Sequence, residues 1–163
     1  MKKNFLIFAL LVFAAGCAQS NQEASNKNTF GQEIFDTFQE AGYDPTDVKI
    51  TKLCDDNTQT EFTATIAKDV VIIDAVDAKN VGQTKKIFDA NEENDESHNM
   101  SVTAQAQTGP KKVEVIRNDQ NNTSYIEAIN LDNSSTVHIQ TSSDKQLDPV
   151  LRLLEELGFP KAK

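Results

Sequence analysis

The chain has 163 residues, with 16 Lys and Arg against 25 Asp and Glu, two His, two Cys and no Trp, for a formal net charge of −9. That balance argues against nucleic acid as a partner, because phosphate binding needs clustered Lys and Arg, and against coulombic docking on anionic lipid. The length fits one domain with its own core, and no composition shift marks a second.

Met1, Lys2, Lys3 and Asn4 precede "FLIFALLVFAAG", a basic start followed by a run of apolar and small residues, the layout of a secretory signal peptide. A spanning helix needs about 20 apolar residues, and this run is shorter. Ala14, Ala15 and Gly16 lead directly into Cys17, and "AAGC" resembles the lipobox of bacterial lipoproteins. The resemblance covers residues 1–17 only. It implies that the Cys17 sulfur is alkylated with a diacylglyceryl group and that cleavage leaves Cys17 as the new N-terminus. Each buried acyl methylene contributes roughly 0.8 kcal/mol, and two chains together hold a protein stably. Ala18 stands where inner-membrane retention usually has Asp, which implies an outer-membrane destination in a two-membrane host. "LIFALLVFAAG" also resembles lipoprotein signals from which some Gram-positive bacteria cut peptide pheromones, a competing reading of the same segment.

Residues 18–28, "AQSNQEASNKN", hold no aromatic or β-branched side chain and read as a tether. Eleven residues span at most about 40 Å when extended and roughly 15–20 Å as a coil, which keeps the domain near the membrane. The expected organisation is a cleaved signal at 1–16, lipidated Cys17 and tether over 17–28, and a single domain over 29–163. Without Lys2 and Lys3, 14 of the 16 basic residues remain against 25 acidic ones, a net of −11. With Cys17 a thioether, Cys54 is the only thiol and has no intramolecular disulfide partner. It lies in "KLCDDN", where two carboxylates disfavour a thiolate, and reads as inert.

"TFGQ" has the form of a capping box at Thr29, and Phe30, Ile34, Phe35 and Phe38 recur at helical spacing up to Gly42, which predicts a helix over 30–41. "VKITKL", "EFTATIA" and "DVVIIDAV" predict three strands, the last two joined by a tight turn at Lys68 and Asp69. Asp77 is the expected cap of a helix through "AKNVGQTKKIFDAN", followed by an acidic loop. "SVTAQAQ", "KKVEVIRN", "TSYIEAINL" and "STVHIQT" predict four further strands separated by "TGPK", "DQNN" and "DNSS". Asp148 followed by Pro149 predicts the start of a last helix, with Val150, Leu153, Leu154 and Leu157 as its buried stripe and Gly158 as its stop. The fold class expected is α+β: a mainly antiparallel sheet with the helices packed on one face, in which a strand–strand–helix unit occurs twice as a candidate internal duplication.

A sheet covered on one side leaves the other to water. Thr63, Thr65, Thr103, Gln105, Gln107, Glu114, Thr136, His138 and Gln140 are expected on that open face. Thr103, Gln105, Thr136, His138 and Gln140 are its candidate binding residues, suited to an envelope protein, peptide or polymer. Asp89, Glu92, Glu93, Asp95 and His98 form the densest metal-capable cluster and suit Ca²⁺ by their oxygens. A calcium-hand register begun at Asp89, however, meets Asn94 where Gly is required and Met100 where the bidentate Glu is required. The chain has no Gly-rich phosphate loop, GxSxG, HExxH or paired-cysteine spacing. The expected function is therefore a membrane-anchored, extracytoplasmic, non-catalytic binding module with no cofactor beyond its lipid. A divalent-cation-binding protein and a hydrolase of unrecognised type are the alternatives.

Overall fold

A computed structural model describes residues 29–53, 56–97, 100–118, 120 and 123–162. The element order is α1 (Phe30–Glu40), β1 (Thr46–Lys52), β2 (Thr58–Ile66), β3 (Asp69–Asp77), α2 (Val81–Ser97), β4 (Ser101–Thr108), β5 (Lys111–Asn118), β6 (Thr123–Asn130), β7 (Ser135–Thr141) and α3 (Asp144–Glu156). The seven strands form one sheet in the order β1-β2-β3-β7-β6-β5-β4, with every neighbour antiparallel. Two meanders thus run inward from opposite edges and meet at β3 and β7.

One face of the sheet is the core. Phe62, Ala64 and Ile66 of β2, Val71, Ile73 and Ala75 of β3, Val137 and Ile139 of β7, Ile126 and Ala128 of β6 and Val113 and Val115 of β5 are all buried there. Phe30, Ile34 and Phe38 of α1 and Val150, Leu153 and Leu154 of α3 close over them. The Phe62 ring stands edge-on to Phe38 and Phe35, with centroids 5.5 and 5.4 Å away, the favoured geometry for aromatic quadrupoles. The i, i+4, i+8 run of Phe30, Ile34 and Phe38 produces the apolar stripe that seats α1.

The N-terminus of α1 is pinned from a distance. Thr29 Oγ1 accepts from Gln32 N at 3.2 Å, as the sequence predicts. Asp77, expected to cap the second helix, instead sends its carboxylate across to α1, where it accepts from Phe30 N at 2.8 Å and Gly31 N at 3.4 Å. Burial pushes the Asp77 carboxyl above its ordinary pKa, and the two backbone donors oppose that shift. Gly31 makes the approach feasible, since a Cβ there would lie 2.3 Å from Thr60 Oγ1. The cap of α2 passes to Asn80, whose Oδ1 accepts from Gln83 N at 3.1 Å.

Three further boundaries differ from the sequence reading. Helix α2 continues to Ser97, so the acidic run from Asp89 is helix rather than loop up to that residue. Helix α3 starts at Asp144, five residues before Pro149, because Gln146 Oε1 accepts from Ser142 N and Ser143 N at 2.7 and 3.2 Å and satisfies the helix start. Pro149 then lies inside the helix, where the buried Val150, Leu153 and Leu154 hold it against the loss of one backbone donor. The β2–β3 turn is at Ala67 and Lys68, both at positive φ, the conformation whose twist matches a two-residue hairpin.

The helices divide between the faces. α1 and α3 share the core face, as expected, while α2 crosses the opposite face over β6 and β7. Strand–strand–helix order does occur twice, as β2-β3-α2 and β6-β7-α3. A two-fold axis normal to the sheet, which would exchange β3 and β7, leaves both helices on one side. Their placement on opposite sides removes that symmetry.

Candidate functional site

The face beneath α2 follows from strand alternation and register. Residues directly opposite one another form three rows across the sheet. The middle row runs Lys49, Glu61, Asp74, His138, Glu127, Glu114, Gln105, one residue per strand. One flanking row runs Gln59, Val76, Thr136, Ile129, Lys112, Gln107 from β2 to β4, and the other Thr63, Ile72, Gln140, Tyr125, Ile116, Val102. The middle row therefore carries four carboxylates and one imidazole, and three of the carboxylates are buried.

Each buried charge has a polar partner on the same face. His138 Nδ1 lies 2.5 Å from Glu127 Oε1, within hydrogen-bond reach. Asn91 of α2 donates its Nδ2 to Glu127 Oε2 at 3.2 Å, which ties the helix to the row. Gln59 Nε2 donates to both Asp74 oxygens at 2.9 Å. Lys112 Nζ pairs with Glu114 Oε1 at 3.0 Å and lies 5.0 Å from the centre of the Phe88 ring. Tyr125 tilts against His138 with ring centroids 5.1 Å apart. Like charges directly opposite on neighbouring strands are unfavourable, so Glu127 beside Glu114 is tolerable only with these donors in place.

Burial pushes the Asp74 carboxyl up from 3.8 to about 6, against the opposing pull of the Gln59 amide and of His138. Glu61 and Glu127 push in the same direction as burial. Desolvation of the buried carboxylate is thus the largest influence on Asp74.

The sequence-predicted face is real, but its exposure is not uniform. Thr63, Thr65, Gln105, Gln107, Glu114, Thr136, His138 and Gln140 do share one side of the sheet. Thr136, His138 and Glu114, expected in water, are buried because α2 lies over them, and Thr136 Oγ1 donates to Ala128 O at 2.9 Å. Thr103 occupies a bulge in the β4–β5 pairing and donates its hydroxyl to Val115 O at 3.2 Å. Gln105 is exposed and Gln140 half-buried, so of the five candidate binding residues these two and Thr103 reach the surface. A shallow cavity of about 180 Å³ between α2 and β5 is lined by Lys85, Phe88, Asp89, Lys112, Ile129 and Leu131, among others.

Of the acidic cluster, Asp89 and Glu93 are exposed on α2. The side chains of Glu92 and Asp95 and the whole of His98 lie outside the described residues, as do Cys17 and Cys54. Among the described residues no three His, Cys, Asp or Glu side chains gather as metal ligands, and no helix is long and apolar enough to cross a membrane.

Asp74, Glu127, Gln59, Asn91 and Tyr125 join the site without having been singled out in the sequence. Two signals were present: Asp74 interrupts the apolar run "VVIIDAV", and Glu127 interrupts "YIEAI". A charge inside an otherwise buried strand needs a partner there. The chain matches no known protein family, no characterised protein and no solved structure.

Proposed function

We propose that this is a lipid-anchored extracytoplasmic protein whose folded domain is a non-catalytic binding module of the cell envelope. The observation that carries the reading is "FLIFALLVFAAGC", an apolar signal ending in small residues and Cys17, followed by a polar tether. Within the folded domain the His138 imidazole is engaged with buried Glu127, and that carboxylate is tied in turn to Asn91 of α2. Such a chain of internal bonds fits a ring that holds a helix on a sheet. Recognition then falls to the strip of this face beside α2, where Thr63, Thr65, Ile72 and Gln140 present small polar and aliphatic groups.

Anchoring is tested by fatty-acid labelling and fractionation of the full chain, with and without the lipoprotein-signal-peptidase inhibitor globomycin. Label on the mature chain, processing blocked by the inhibitor and release of a Cys17→Ala variant into the soluble fraction are expected; an equally anchored Cys17→Ala variant refutes the reading. Recognition is tested by cross-linking in intact cells. Any partner captured should be lost with a Thr63→Lys, Gln140→Lys double variant, and capture unchanged in that variant removes the strip from the proposal.

A further inference from the structure

The two edges of the sheet are guarded unequally. At one edge β1 carries Lys49 and Lys52, an irregular pairing with β2 and a φ of +57° at Asp47. Charge and a bulge are the usual means of preventing an edge from acquiring another strand. At the opposite edge β4 reads "SVTAQAQT", eight residues with no charge and no proline, and Val102 is 51% exposed. Its bulge is confined to the start, at Thr103. From Ala104 to Thr108 the strand is regular, with Val115 through Lys111 of β5 on its inner side and the end of the sheet on its outer side.

We propose that this edge pairs antiparallel with β4 of a second copy of the chain, with Ala106 on the two-fold axis. Opposite residues in an antiparallel pair point to the same face, so continuing both sheets requires even-numbered residues to meet even and odd to meet odd. The longest regular overlap then sets Ala104 opposite Thr108, Gln105 opposite Gln107 and Ala106 opposite itself. On the core side only small side chains meet. On the other side Gln105 and Gln107 of each copy interleave as a four-residue amide ladder, in which each amide offers both a donor and an acceptor. Self-complementarity selects the same occupant: about the two-fold axis residues 104–108 meet small against small and amide against amide. The net charge of −9 on each copy opposes association, and the uncharged β4 edge is where that opposition is least.

The inference stands apart from the lipid anchor and is tested on the full chain. A Cys54→Ser, Ala106→Cys variant is oxidised mildly and run without reductant, since the 4.5–5.5 Å Cα separation of such a pair suits a disulfide. A dimer band at least tenfold stronger than in the Cys54→Ser parent is expected. Adding Gln105→Lys and Gln107→Lys, which sets four ammonium groups against one another, should abolish it. Val102→Cys in the same background should not cross-link, because it falls opposite position 110. A mixture of Gln105→Cys and Gln107→Cys chains provides an independent readout should Ala106→Cys fold poorly, and there the linked product should exceed that of either chain alone. No dimer from either design, equal dimer from Val102→Cys, or a band at the mass of a foreign protein overturns the proposal.

Discussion

On the face covered by α1 and α3 the sheet presents Phe62, Ile66, Ile73, Val113, Ile126 and Ile139; on the opposite face, which α2 crosses, it presents Gln59, Asp74, Glu114, Glu127 and His138. The same backbone thus faces a hydrocarbon layer on one side and a hydrogen-bonded charge row on the other. The first layer stabilises by area: a fully buried Phe or Ile contributes roughly 1.5–3 kcal/mol whatever its neighbours are. The second stabilises only when complete, because a buried ion stripped of its partner costs more than the intact pair returns. The core face should therefore tolerate aliphatic exchange, while the polar face should tolerate removal of pairs but not of single members.

The largest effect belongs to the core face. Phe62→Ala removes a ring that is 1% exposed and stands edge-on to two others. A loss of about 4 kcal/mol is expected from the urea midpoint, against less than about 1.5 kcal/mol for Ile73→Leu. On the polar face Glu127→Ala leaves both His138 Nδ1 and Asn91 Nδ2 without their acceptor and should cost about 3 kcal/mol. The contrast sharpens in the double variant Glu127→Leu, His138→Leu, which should recover part of that loss, the share due to His138, while the Asn91 amide still lacks its acceptor. If the double variant is as unstable as the sum of the two single ones, the row is not a coupled unit.

The core face was legible because its signal is repetitive. Phe30, Ile34 and Phe38 at helical spacing, and Phe62, Ala64 and Ile66 at strand alternation, each repeat one physical requirement several times. The second face was legible as a face but not as a buried one. Covering it depends on α2, which the sequence reading packs on the same face as the other helices and whose acidic far half reads as loop by composition. Asp77 shows the same limit in one side chain. An Asp immediately before a helical pattern reads as its cap, and only tertiary structure starts the helix later, at Val81, and brings in Phe30, 47 positions away, as the stronger claimant.

Titration separates the faces without removing any atoms from the core. Asp74 has a folded pKa of about 6 against the usual 3.8, so between those values the folded chain holds a proton that the unfolded chain has released. Stability from this group is complete below about pH 4, falls as pH rises to about 6 and stays lost above it. Asp74→Asn keeps an acceptor for the Gln59 amide and removes the ionisation. It should raise stability by about 2 kcal/mol at pH 7.5 and by almost nothing at pH 3.5, a two-unit shift being worth at most about 3 kcal/mol. An equal gain at both values would show that repacking, not ionisation, is the cause.

The smallest effect tests whether the polar face depends on α2 as a separable part. This helix has no basic residue in its last turn, where Lys or Arg would oppose the dipole, and it carries Glu92, Glu93, Asp95 and Glu96 toward that end. Its start depends on Asn80, whose side chain accepts from Gln83 N while its carbonyl accepts from Thr84 N and the Thr84 hydroxyl. Asn80→Ala keeps the carbonyl and loses the side-chain acceptor, at a cost of about 1 kcal/mol. A helix that opens as a unit of its own would show that cost locally. Amide exchange across α2 should quicken about fivefold, with exchange in α1 and α3 unchanged. Uniform acceleration through all three helices would mean that the two faces, for all their difference in chemistry, open together.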